Sequence, residues 1–251
     1  MNNIIGNALK SIGTLIYPSR CGACQQFLSP GRNWCPECWV QLSQATGRDY
    51  CPSCGSNLGP HQVVNSKGRC PLCKKIPSPL EGICRLGVYE NALARAIKNF
   101  KYHHSITVGN VLGDMLAEVL TEQKWFDQIE ALCPVPIHWT RRIDRGFNQS
   151  QLLAERISVS TRLPVIKLLK RTKPTLRQVG LSPSARKENL KDAFILRPLW
   201  PVTGTKICLV DDIMTTGSTL FEAARTLLDD KADEVFATVL AKADHIAGSI
   251  G

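Results

Sequence analysis

Two patterns in this sequence could do chemistry. The first is Asp211-Asp212, which follows the apolar run 207–210 and precedes Thr215-Thr216-Gly217-Ser218-Thr219. Adjacent carboxylates can accept sugar hydroxyls or hold a divalent cation. Small hydroxyl residues around a glycine, at a turn into a helix, offer backbone N–H groups to a phosphate. A ligand with hydroxyls beside a phosphate would use both parts, and a sugar phosphate has that shape. The plainer alternative is an exposed turn with a helix cap.

The second pattern is four CxxC pairs: Cys21/Cys24, Cys35/Cys38, Cys51/Cys54 and Cys70/Cys73. Their spacing is C-x2-C-x10-C-x2-C and then C-x2-C-x15-C-x2-C. A CxxC turn aims two thiolates at one tetrahedral cation, and two such turns complete a four-sulfur shell. Two structural zinc ions are expected. Sequential and interleaved pairing of the turns both remain open. A closed all-cysteine shell leaves no position for substrate, so no catalysis is expected there. Disulfides are the competing reading; an intracellular chain would not keep them. The other three cysteines, Cys84, Cys133 and Cys208, stand singly among apolar residues and read as small core hydrophobes.

Composition narrows the partners. Lys and Arg total 31 against 21 Asp and Glu in 251 residues, a formal charge of +10. That balance favours polyanions: nucleic acid, phosphorylated metabolites or anionic lipid. No apolar run approaches the ~18 residues of a spanning helix, and no secretory signal is evident at the start of the sequence. A cytoplasmic protein is expected, with the inner face of the cytoplasmic membrane as a second location. Ile5, Leu9, Ile12 and Ile16 share one helical face, expected to pack on the protein body.

The elements that must position these residues divide the chain. Residues 1–80 read as an N-terminal helix and a double zinc ribbon; residues 81–251 read as an α/β domain. In the latter, strands are expected at 85–89, 131–136, 165–169, 206–210 and 234–241. Helices are expected at 92–100, at 149–158, along the apolar positions 108–120 and again along 220–228. This alternation implies a parallel sheet. Ligands then sit at the carboxyl ends of the strands, so Asp211 and Asp212 are expected to cap strand 206–210 at the binding edge. Asn148 and Gln149 read as caps of the following helix.

VDDIMTTGST (210–219) resembles the signature of type I phosphoribosyltransferases, which bind 5-phosphoribosyl-1-pyrophosphate (PRPP). PVPIHWTRRIDRGFNQSQLLA (134–154) is similar to the pyrophosphate-receiving loop of that family. LLKRTKPTLRQVGLSPSARKENLKDAF (168–194) is similar to its closing loop. With the cysteine-rich start, these stretches resemble the ComF family (ComFC/GntX-like) of competence-linked proteins over essentially the whole chain. The resemblance implies a parallel-sheet phosphoribosyltransferase fold behind a small double zinc ribbon. It implies Mg²⁺ with PRPP, and a role in natural transformation through single-stranded DNA and competence proteins. It carries catalytic roles onto Asp211, Asp212, Arg171 and Lys173. Phosphate binding goes to Thr215, Thr216, Gly217, Ser218 and Thr219, and pyrophosphate or DNA binding to Arg141, Arg142 and Arg145. Zinc goes to the eight paired cysteines. Some nucleobase-salvage members carry a third acid where this chain has Thr215.

Arginine forks bind phosphate bidentately and stay charged. Trp139 and Phe147, among the basic residues, offer stacking for unpaired bases or anchor the loop. Three functions are therefore expected to compete: a DNA-handling protein that binds PRPP, a phosphoribosyltransferase with a small acceptor, and a PRPP-sensing interaction module without chemistry.

Overall fold

The computed structural model describes residues 19–60, 62–74, 77–102, 105–137, 146–172, 192–197 and 200–243. The expected apolar helix face at Ile5, Leu9, Ile12 and Ile16 lies outside them.

Among the described residues the central sheet has four strands in the order β1-β6-β5-β2, all parallel. They are β1 (Gly82–Val88), β2 (Ala131–Pro134), β5 (Lys206–Met214) and β6 (Glu234–Lys242). Successive side chains of a strand point to opposite faces, and the core splits accordingly. Cys208, Val210 and Leu240 join one apolar cluster; Ile207, Leu209, Val235 and Val239 join the other. Cys84, Cys133 and Cys208 are fully buried, as their apolar neighbours require.

On the first face lie α2 (Asn91–Tyr102), α3 (Ile106–Thr121) and α4 (Gln149–Thr161). On the second lies α5 (Ser218–Asp229), the crossover between β5 and β6. The first ribbon also packs on the first face. Its helix α1 (Pro36–Thr46) starts at Cys35, whose side chain accepts from the Cys38 N–H, with a proline in the first turn. Leu42 and Ala45 of α1 are fully buried in the same cluster as Leu86, Leu93 and Leu112. Gly87 permits this docking: a Cβ there would stand 2.7 Å from the Ala45 carbonyl oxygen.

Two expectations are corrected. The strand expected at 165–169 is a single parallel bridge, Leu132 to Val165. The chain turns away at once, with the Leu168 N–H donating to the Ile166 carbonyl. It then forms β3 (Leu169–Arg171), which pairs antiparallel with β4 (Phe194–Leu196) in a separate two-stranded sheet. The strand expected at 206–210 runs on to Met214. Its last β2 partner is Val210, opposite Pro134, so residues 211–214 overhang β2 and pair only with β6. Asp211 and Asp212 therefore lie inside the strand and do not cap it.

Candidate functional site

The overhang creates the site. Beyond the end of β2, the space beside β5 is entered by the N-terminus of α4. Asn148 caps that helix, accepting from the Ser150 N–H, and its amide donates to the Val135 carbonyl at 3.2 Å. Gln149 does not cap; it is the first helical residue and is fully buried. This arrangement aims the Ser150 hydroxyl at Asp211 Oδ1, 2.9 Å away. The same oxygen accepts the Asp212 N–H at 2.9 Å. Asp212 takes a different partner: its Oδ2 lies 2.8 Å from Lys101 Nζ at the end of α2, and both side chains are nearly buried. Burial, then the neighbouring Asp212 charge, push the Asp211 carboxyl up to about 7; Ser150 and Lys101 oppose the shift. Burial and the Asp212 charge also hold the Tyr89 phenol above its ordinary range.

Three residues past the acidic pair, the chain turns into α5. Gly217 has φ +83° at the helix N-cap, and no side chain caps the helix there. A Cβ at this position would meet Met214 Cε and Phe221 Cζ at 2.7 Å. Only glycine meets both demands. Thr216 Oγ1 and Ser218 Oγ share a hydrogen bond of 2.8 Å, which gathers two hydroxyls at the turn. The Thr215 carbonyl accepts from Lys242 Nζ at 3.4 Å. The acidic pair and the hydroxyl turn thus share one end of one strand, with a lysine beside each.

Among the other expected site residues, Arg171 ends β3, and its guanidinium lies 5.6 Å from the centre of the Phe194 ring. Phe147 packs on Phe100 with ring centroids 5.7 Å apart, which anchors the segment to the core. Arg141, Arg142, Arg145, Lys173, Trp139 and all five histidines lie outside the described residues. Sequence reasoning missed Lys101, Ser150, Tyr89 and Lys242. Ser150 had a local signal, since it follows an Asn cap. The lysines had none, because their partners are distant in sequence.

The cysteines form two clusters, Cys21/Cys24/Cys35/Cys38 and Cys51/Cys54/Cys70/Cys73, so pairing is sequential. Neighbouring sulfurs are 3.5 to 3.8 Å apart. A tetrahedron with Zn–S bonds of about 2.3 Å has an edge of about 3.8 Å. Knuckle amides point at the sulfurs: Cys35 N–H donates to Cys21 Sγ and Cys38 N–H to Cys35 Sγ. The two clusters fit two structural zinc sites. Burial pushes the Cys38 thiol up to about 12, and Arg95, 3.5 Å from its sulfur, opposes that.

The double zinc ribbon domain family matches residues 12–67. The match ends before Cys70 and Cys73, which nevertheless close the second cluster. The chain is 33% identical over 181 residues to competence protein F of Haemophilus influenzae, covering 69% of this chain and 78% of that protein. It belongs to the ComF family. Another relative is DNA utilization protein YhgH of Escherichia coli K12, 32% identical over 219 residues and 86% of each chain. ComFC of Bacillus subtilis is 27% identical, over 64% of this chain and 71% of that one. Among solved structures, glutamine PRPP amidotransferase from B. subtilis superposes with a TM-score of 0.36 at 22% identity, over 54% of this chain and 26% of that one. Adenine phosphoribosyltransferase from Leishmania donovani gives 0.37 at 11% identity, over 67% and 89%. At these TM-scores neither bears on the site.

Proposed function

We propose that this ComF-family protein binds PRPP with Mg²⁺ at the carboxyl end of β5 and handles single-stranded DNA during its uptake or utilisation. The observation that carries the reading is the β5 overhang: it sets two carboxylates and a hydroxyl-rich glycine turn on one strand end. Asp211 and Asp212 would hold the ribose hydroxyls or the cation, and residues 215–219 the 5′-phosphate. A crowded carboxylate pair with one nearly buried lysine suits a divalent cation. When bound, Mg²⁺ would neutralise the pyrophosphate leaving group. Arg171, Lys173, Arg141, Arg142 and Arg145 are the candidate cations for pyrophosphate or for the nucleic-acid backbone.

The DNA part of the reading draws on the names of the relatives, competence protein F and DNA utilization protein, and on the +10 charge. Competence proteins are the proposed partners, in the cytoplasm or at the inner membrane face. Among the described residues, no helix is long and apolar enough to cross a membrane. In this reading residues 1–80 and 81–251 are the two functional parts. Thr215 in place of a third acid counts against transfer to a purine base.

Calorimetric titration of PRPP with Mg²⁺ tests the first part. Asp211→Asn/Asp212→Asn should weaken binding by more than about tenfold, the scale of losing charged contacts; unchanged affinity would sink the site. Anisotropy of a labelled single-stranded oligonucleotide tests the second. Affinity should fall steeply with salt and change when PRPP and Mg²⁺ are added. No binding at low salt would leave an enzyme with a small acceptor.

A further inference from the structure

Helix α2 touches the first zinc cluster with one side and the acidic pair with the other. At the cluster, Arg95 Nη2 lies 3.5 Å from Cys38 Sγ and 2.7 Å from Gln41 Oε1 of α1. One turn on, the buried Asn99 amide donates to the carbonyls of Gly22 and Ala23, at 2.9 and 3.0 Å, inside the first knuckle. Two residues further, Lys101 sits 2.8 Å from Asp212. Residues two apart on a helix are separated by about 200°, so Asn99 and Lys101 face opposite ways. Between these faces Ala92, Leu93, Ala96, Ile97 and Phe100 are fully buried. The helix is therefore clamped along its length and cannot turn at one end without turning at the other.

We propose that α2 is a strut that couples the first zinc cluster to the ligand site, with Lys101 as its positioning residue. Zinc holds the Gly22-Ala23 knuckle and Cys38 in place. Asn99 and Arg95 fix the helix to them, and Lys101 is thereby fixed on Asp212. The ammonium neutralises one of two adjacent carboxylates and keeps its oxygen aimed. By linkage, what the ribbon does to ligand affinity the ligand does to zinc retention, to the same factor. The inference rests on the proposed PRPP site for its ligand, but the strut itself does not.

The experiment is a double-mutant cycle on the full chain, with zinc content measured on every variant. Asn99→Ala loosens the strut and Lys101→Met removes its tip; Arg95→Met is the second strut variant should Asn99→Ala fold poorly. Each alone should weaken binding of PRPP with Mg²⁺ by about tenfold, within the usual range of coupling between two sites. Lys101→Arg should restore most of the affinity. In the Lys101→Met background, loosening the strut should cost little more. Independent, multiplying effects would overturn the strut. Should wild-type protein bind no PRPP, the proposed ligand falls and the strut is read by hydrogen exchange. Asn99→Ala must then speed exchange at the amides of residues 212–214; unchanged protection there would overturn it.

Discussion

The two zinc clusters use the same four-sulfur shell and sit differently in the molecule. Cys21, Cys35 and Cys38 belong to the large apolar cluster that also holds α2, α3, α4 and one face of the sheet. Cys51, Cys54 and Cys70 form a small cluster of their own, with Leu58, Val64 and Cys73 packed around it. The second ribbon leans on the sheet at a few points. Ile83 N–H donates to the Pro52 carbonyl, the Arg85 guanidinium lies over the Tyr50 ring, and Gly55 lies against Lys242. One cluster is therefore a piece of the core and the other a satellite beside it. Identical metal chemistry does different structural work according to how much apolar surface depends on it.

Breaking the metal shells should separate them most clearly. Cys38→Ser should cost at least about 4 kcal/mol of global stability, because losing a metal from a core is among the largest single-site effects. Cys73→Ser should cost about 1–2 kcal/mol and release one zinc with the main unfolding transition preserved. Thermal unfolding with zinc counting reads both, and equal losses would erase the distinction. Smaller, but on the same axis, Leu42→Ala in α1 should cost about 3 kcal/mol, against about 1 kcal/mol for the partly buried Leu58→Ala. Urea unfolding decides between them.

Two lysines flank the site, Lys101 on α2 and Lys242 on β6, and their contacts with it differ. Lys101 meets a carboxylate; Lys242 meets a backbone carbonyl. The Asp211 carboxyl stands at about 7, against its ordinary 3.8. Between those values the folded chain keeps a proton that the unfolded chain has lost. The contribution of this group to stability therefore falls as pH rises from about 4 through 7. Lys101→Met should push the Asp211 carboxyl higher and extend that decline above pH 7, whereas Lys242→Met should leave it in place. A carboxyl titration followed by NMR across pH 4–9 reads the difference; matching shifts in both variants would mean the two lysines act alike. The smallest effect is expected at Arg48, whose exposed ion pair with Glu90 links the segment between the ribbons to the start of α2. Arg48→Ala should cost less than about 1 kcal/mol, which would show that the buried ties carry the attachment.

What the sequence made legible follows the range of the interactions. The CxxC knuckles, the apolar runs of β5 and β6, and the glycine turn at 217 are local, and each appears where its pattern points; β1 is there too, but starts at Gly82, three residues before the expected 85–89. Strand length was less legible. Nothing within residues 206–214 says that the strand continues through two aspartates, because what keeps it extended is its pairing with β6. The strand expected at 165–169 failed for the complementary reason: its β-branched residues are there, but only Val165 finds a partner in the central sheet. Helix α1 was hidden inside a cysteine motif whose Cys35-Pro36 start is also a helix start. Lys101 and Ser150 reach the site only through tertiary packing.

The β5 overhang has one more consequence. A strand that outruns its neighbour exposes an edge, and an exposed edge invites pairing with another chain. Here the Asp212 N–H is already taken by the Asp211 carboxylate, and Ser150 stands over the same oxygen. At this position the edge is blunted by a charged side chain and by a helix end. Asp211 thus covers the open edge as well as lying in the proposed ligand site, and Asp211→Val would free both the Asp212 N–H and the Ser150 hydroxyl.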